Sequence, residues 1–95
     1  MAEEVHERKM TLRNKYGMHV RPAGLFAKIA SRHDASITVE KDGNLVSAKS
    51  IMALLTLEAV CGSTLLVRAT GPDGEAALDD LEALVARKFD LPDEQ

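Results

Sequence analysis

The sequence predicts an α+β fold of four strands and three helices in the order βαββαβα, with the strands in a sheet that is wet on one face and covered by helices on the other. Three observations carry this expectation. Four segments alternate apolar with polar residues instead of running continuously apolar. An Asp42-Gly43 pair separates two of them as a hairpin turn. The segments between carry leucines and other apolar residues at helical spacing.

Each element follows in turn. Met10 and Leu12 alternate with Lys9, Thr11 and Arg13, which gives a first strand with Met10 and Leu12 inward. Asn14 to Gly17 is a polar loop. Phe26, Ile29 and Ala30 then recur with helical spacing, and Pro22 falls in the first turn, where a missing N–H is tolerated. A helix over about residues 20–32 is expected. Ile37 and Val39 alternate with Ser36, Thr38 and Glu40 in a second strand, and the turn at Asp42-Gly43 leads into a third containing Leu45 and Val46, so these two should pair antiparallel. Ile51, Leu54, Leu55 and Leu57 predict a short apolar helix that stops at Gly62. Residues 64–70 alternate again, with Val67 and Ala69 on one face. Gly71-Pro72-Asp73-Gly74 is a turn, and Leu78, Leu81, Leu84 and Val85 form the stripe of a last helix. One domain spans residues 1–95, with its core over about 5–88 and a loose tail from Asp90.

Composition narrows the function. The 95 residues, 45% hydrophobic and 28% charged, suit one thin core in a globular chain. Cys61 is the single cysteine, so no internal disulfide and no Cys/His zinc spacing exists, and a reducing compartment is favoured. Cys61 is expected to be a partly buried filler. The opening MAEEVHERKM lacks the apolar core of a signal peptide, and no apolar run is long enough to span a bilayer. A cytoplasmic protein with no membrane partner is the expectation. With no Trp, one Tyr, two Phe and a net charge of −3, nucleic acid is a poor partner. Seven Lys or Arg residues and no carboxylate lie between Arg8 and His33, while Asp73, Glu75, Asp79, Asp80 and Glu82 crowd the C-terminal part. A basic N-terminal third attracts acidic or phosphate-bearing partners.

One heptapeptide, Gly17-Met18-His19-Val20-Arg21-Pro22-Ala23, concentrates chemistry. Imidazole has an ordinary pKa of about 6.5, so near neutral pH one ring nitrogen is a nucleophile. The first-turn N–H groups of the helix that follows carry partial positive charge, worth roughly 0.3–1 kcal/mol to an anion. Arg21 adds a guanidinium whose paired donors match phosphate oxygens. These electrostatics would serve sulfate or carboxylate equally well. His6 and His33 are expected to be structural or surface residues.

The chain resembles HPr, the histidine-containing phosphocarrier family of the sugar phosphotransferase system. The stretches that carry this resemblance are GMHVRPAG at residues 17–24, similar to the family's active-site loop, and SAKSIMALLTL at residues 47–57, similar to its regulatory serine segment. The resemblance implies an open-faced β-sandwich, a four-stranded antiparallel sheet covered on one face by three helices. It implies that His19 takes a phosphoryl group on Nδ1 from phosphorylated enzyme I and passes it to a IIA domain, with Arg21 steadying the group. No metal or cofactor is implied, and a monomer is expected. Ser50 matches the serine that an ATP-dependent kinase modifies in some members, which brings in a kinase/phosphorylase and a transcription regulator as partners. Val20, Ile51, Met52 and Leu55 match the apolar docking patch, and Met52 is the best candidate among them for an exposed contact. A nitrogen-related carrier, or a regulatory module acting through phosphorylated Ser50, is the alternative to sugar uptake.

Overall fold

The protein is described by a computed structural model over residues 4–92. Its elements are β1 (Val5–Thr11), α1 (Val20–Ser31), β2 (Ser36–Lys41), β3 (Asn44–Ser47), α2 (Ile51–Leu55), β4 (Thr64–Thr70) and α3 (Gly74–Ala86), followed by a single turn, Lys88–Asp90. All strand pairs are antiparallel in the order β1-β4-β2-β3, so β4 is central beside both β1 and β2. Every element expected from the sequence is present, and the sheet is open on one face as anticipated.

Alternation decides which face is covered. Met10 of β1, Ile37 and Val39 of β2, and Leu65, Val67 and Ala69 of β4 are all buried. They meet Ala23, Phe26, Ala27 and Ala30 of α1, Leu54 of α2, and Ala77, Leu78, Leu81, Leu84 and Val85 of α3 in one cluster. On the open face Glu7 pairs with Arg68 of the neighbouring strand, and Thr11 shares a hydrogen bond with Thr64 at 3.0 Å. Such cross-strand pairs let a sheet face meet water without an apolar row. The β2–β3 turn uses Asp42 at φ 51° and Gly43 at φ 86°, the two left-handed positions that a tight hairpin of this twist demands.

Four sequence expectations need correction. β1 begins at Val5, earlier than the alternation around Met10 suggested, because His6 and Arg8 also face inward and are half-buried. Leu12 is buried at 1% exposure but lies just past the strand end. α2 stops at Leu55, well before Gly62. There Thr56 donates to Ala53 O through its N–H at 3.1 Å and its hydroxyl at 2.6 Å, the next N–H groups reach back only three residues, and Glu58 turns left-handed at φ 49°. Leu57 and Ala59 remain buried as loop residues, which is why the apolar pattern overran the helix. The core also extends beyond residue 88: Phe89 is 1% exposed, a burial worth about 1.5–3 kcal/mol, and Leu91 packs half-buried against the core. The end of the tail, residues 93–95, lies outside the described residues. Finally, Cys61 is exposed, since its loop at Gly62-Ser63 turns it away from the core.

Candidate functional site

His19 is the N-cap of α1, with extended backbone (φ −100°, ψ −170°), and its carbonyl accepts the first helical N–H, from Ala23, at 2.9 Å. Its ring makes no capping hydrogen bond, so the imidazole is spared for another role. Val20 and Arg21 occupy the next two positions, both exposed, and Pro22 is buried where its absent N–H costs no helical bond. No acidic side chain stands in this first turn to oppose an incoming anion.

The turn that carries His19 is held from three sides. Met18 N–H donates to Ala59 O at 2.8 Å, and Met18 itself is buried. Gly17 sits at φ +66°, and a Cβ there would fall 2.3 Å from Ala59 O and 2.7 Å from the Cα of Val60. Only glycine fits. Asn14 accepts the Gly17 N–H on its backbone carbonyl at 3.1 Å and donates its side-chain Nδ2 to Gly17 O at 2.7 Å, while His19 N–H donates to the same Gly17 O at 3.1 Å. Beneath this turn Leu12 exchanges bonds with the 62–63 loop, its N–H donating to Ser63 O and its carbonyl accepting from Gly62 N–H.

The ring itself is half-buried, and Nε2 is closed off from solvent without a hydrogen-bond partner. Tyr16 meets it edge-on, with centroids 6.2 Å apart and planes at 86°, and Lys15 Nζ lies 5.3 Å from the Tyr16 ring centre. Asn14 and Tyr16 were not singled out by the sequence. Loop asparagines are common, and only the contact with Gly17 O distinguishes this one.

Arg21 and Val20 share a groove with Gly24, Leu25, Lys28, Ile51 and Leu91. Two of the docking candidates, Val20 and Ile51, therefore border the same helix start; Val20 is 65% exposed, Ile51 42% and Met52 76%, whereas Leu55 is half-buried and packs on the core. Ser50 is the N-cap of α2, its Oγ accepting the Ala53 N–H at 3.1 Å. α2 is only five residues long, so little helix dipole stands behind Ser50.

The remaining charges are organised away from His19. Arg8 lies 2.6 Å from Asp79 and 3.0 Å from Glu82, and its hydrogen bond to Asp79 is the main cause of a raised pKa. His33 contacts Asp73 and Asp80. Much of the acidic C-terminal stretch thus pairs with cations of β1 and of the segment after α1. No helix among the described residues is long and apolar enough to cross a membrane, and no cluster of metal-ligating side chains occurs among them.

A small open-faced sandwich that presents an uncapped histidine and an arginine at the start of its first helix belongs to the class of histidine phosphocarrier modules. The family model described as PTS HPr component phosphorylation site matches residues 6–87. The chain belongs to this HPr family of phosphotransferase-system phosphocarriers. It is 44% identical to phosphocarrier protein NPr of Shewanella violacea, over 88% of this chain and 92% of that protein. It is likewise 44% identical to phosphocarrier protein HPr of Treponema pallidum, over 81% of this chain and 88% of that one. A crystal structure of HPr from Thermoanaerobacter tengcongensis superposes with a TM-score of 0.88 at 39% identity, covering 92% of this chain and 98% of that one.

Proposed function

We propose that this chain is a cytoplasmic carrier that accepts a phosphoryl group on Nδ1 of His19 from phosphorylated enzyme I and donates it to a IIA domain in sugar uptake. The observation that carries the reading is the state of the His19 ring: placed at a helix start, excused from capping, and closed at Nε2. Nδ1 is then the nitrogen available to a donor. Its lone pair forms the bond to phosphorus while the bond from phosphorus to the donor breaks, the electron pair leaving with the donor. Donation to the acceptor runs the same step in reverse.

Arg21, in the first turn, steadies the phosphoryl oxygens in both transfers. Val20, Ile51, Met52 and the flank of Leu55 form the apolar surface on which partners dock. The protein is a stoichiometric intermediate, and the transfer rate comes from positioning and charge stabilisation shared with its partners. A phosphate on Ser50, supplied by an ATP-dependent kinase, would place about −1.5 to −2 charges next to Ile51 and Met52 and oppose docking.

Incubation with enzyme I and phosphoenolpyruvate tests the reading. The parent should gain an acid-labile phosphate and His19→Ala should gain none; an alanine variant that is still labelled would end it. Supplying enzyme I from the sugar branch and from the nitrogen branch in parallel assigns the branch, and faster labelling by the nitrogen-type donor would replace sugar uptake with the nitrogen relay.

A further inference from the structure

Among the described residues, two buried side-chain nitrogen or oxygen atoms have no hydrogen-bond partner, Asn14 Oδ1 and His19 Nε2. Both belong to the turn before α1. Asn14 is also the one polar side chain in the buried set of described residues, at 6% exposure. Burying an amide acceptor without a partner is costly, and native folds seldom leave one so. Two such atoms in one short turn point to a shared purpose.

The orientation of the Asn14 amide is set by its neighbour. Gly17 O can only accept, so the group that faces it at 2.7 Å is Nδ2, and Oδ1 is turned to the other side of the amide. That leaves an acceptor without a donor. His19 Nε2 supplies the complement in one tautomer: with its proton on Nε2 the imidazole has a donor without an acceptor and a lone pair on Nδ1.

We propose that Asn14 is a positioning residue for His19, its Nδ2 fixing the Gly17 carbonyl on which the His19 backbone hangs and its Oδ1 serving as acceptor for the Nε2–H of the ring. This deepens the carrier reading and rests on it. The two atoms are not bonded in this structure; rotation of the ring brings Nε2–H to Oδ1 already in the unloaded protein, and the bond strengthens when the N–H gains charge. Phosphoryl transfer supplies that change. The Nδ1 lone pair bonds to phosphorus, the donor's bond to phosphorus breaks with its electron pair, and the Nε2 proton stays where it was. The ring becomes an imidazolium, and a charged N–H makes a shorter and stronger bond than a neutral one. Asn14 therefore holds the reactive tautomer before transfer and stabilises the loaded ring after it.

Long-range nitrogen–proton spectra of the His19 imidazole in the full chain test this without relying on transfer. The parent above neutral pH should show the Nε2–H tautomer. Asn14→Asp keeps an oxygen acceptor but gives up the Nδ2 donor to Gly17 O, so it should retain the Nε2–H tautomer while loosening the turn. Asn14→Leu, similar in volume but without an acceptor, should give a mixture of tautomers and accept a phosphoryl group about tenfold more slowly or worse, with a dispersed amide spectrum showing that the fold survives. An Nδ1–H tautomer in the parent, or an Asn14→Leu protein with the parent's tautomer and rate, overturns the proposal. Should Asn14→Leu fail to fold, Asn14→Asp decides by its tautomer, Nε2–H supporting the assignment and Nδ1–H ending it. A parent that takes no phosphoryl group at all defeats the carrier reading instead, and the tautomer comparison still decides the role of Asn14.

Discussion

His33 Nδ1 lies 2.7 Å from Asp73 Oδ2, which ties the exit of α1 to the entry of α3. The other ring nitrogen lies 2.8 Å from Asp80 Oδ2, so the imidazole must carry both protons to satisfy both carboxylates. Burial disfavours that charge, but the hydrogen bonds to Asp73 and Asp80 and the two negative charges outweigh it, and the pKa of His33 is raised. A base whose folded pKa exceeds its unfolded value lends stability that is complete below the unfolded pKa of about 6.5 and is lost as pH rises through the folded value. Urea unfolding of the parent and of His33→Asn should therefore differ by about 1 kcal/mol near pH 6, with the gap shrinking as pH rises through the raised His33 pKa, a modest figure because Asp80 is exposed and Asp73 only half-buried. A gap that is constant with pH would show that the clamp is uncharged.

Gly17 cannot be replaced cheaply. With φ at +66° and Ala59 O only 2.3 Å from any Cβ, Gly17→Ala must push apart the two loops that seat His19. A loss of at least ~2 kcal/mol of stability is expected in denaturant titrations. Stability equal to the parent would mean that the 59–60 loop gives way freely.

Ser50 separates capping from charge. Ser50→Ala removes the acceptor for Ala53 N–H and should cost about 1 kcal/mol while leaving affinity for enzyme I unchanged. Ser50→Asp keeps a capping oxygen but adds a carboxylate beside Ile51 and Met52, and calorimetry should show weaker docking with near-parental stability. Equal affinity in the Asp variant removes the electrostatic account of this position.

Glu58 is exposed and left-handed at φ 49°, the conformation that ends the α2 segment. Glycine adopts it without the clash that an L side chain meets, so Glu58→Gly should raise stability by about 0.5–1 kcal/mol. A lower unfolding midpoint would show that the side chain makes a contribution larger than its backbone strain.

The sheet was legible because its strands bury one face and alternate accordingly, as Ile37, Val39, Val67 and Ala69 demonstrate. The end of α2 was not, because Leu57 and Ala59 stay apolar while serving a loop, and hydrophobicity reports burial before it reports helix. Phe89 fell just outside the expected core of residues 5–88, since nothing local predicts three successive left-handed residues, Lys88, Phe89 and Asp90, that swing its ring into the core. His19, Arg21 and Ser50 stood out through their flanking motifs. Asn14 did not, for its importance lies in a single bond to Gly17 O that only the folded turn creates.

The bonds from Met18 to Ala59 and from Leu12 to the 62–63 loop join stretches distant in the chain, and they come together only where the β1–β4 ladder closes at Thr11 and Thr64. The geometry around the histidine is thus a product of long-range pairing rather than a property of its own peptide. A chain in which that ladder is open keeps the heptapeptide but loses the bonds that seat its histidine.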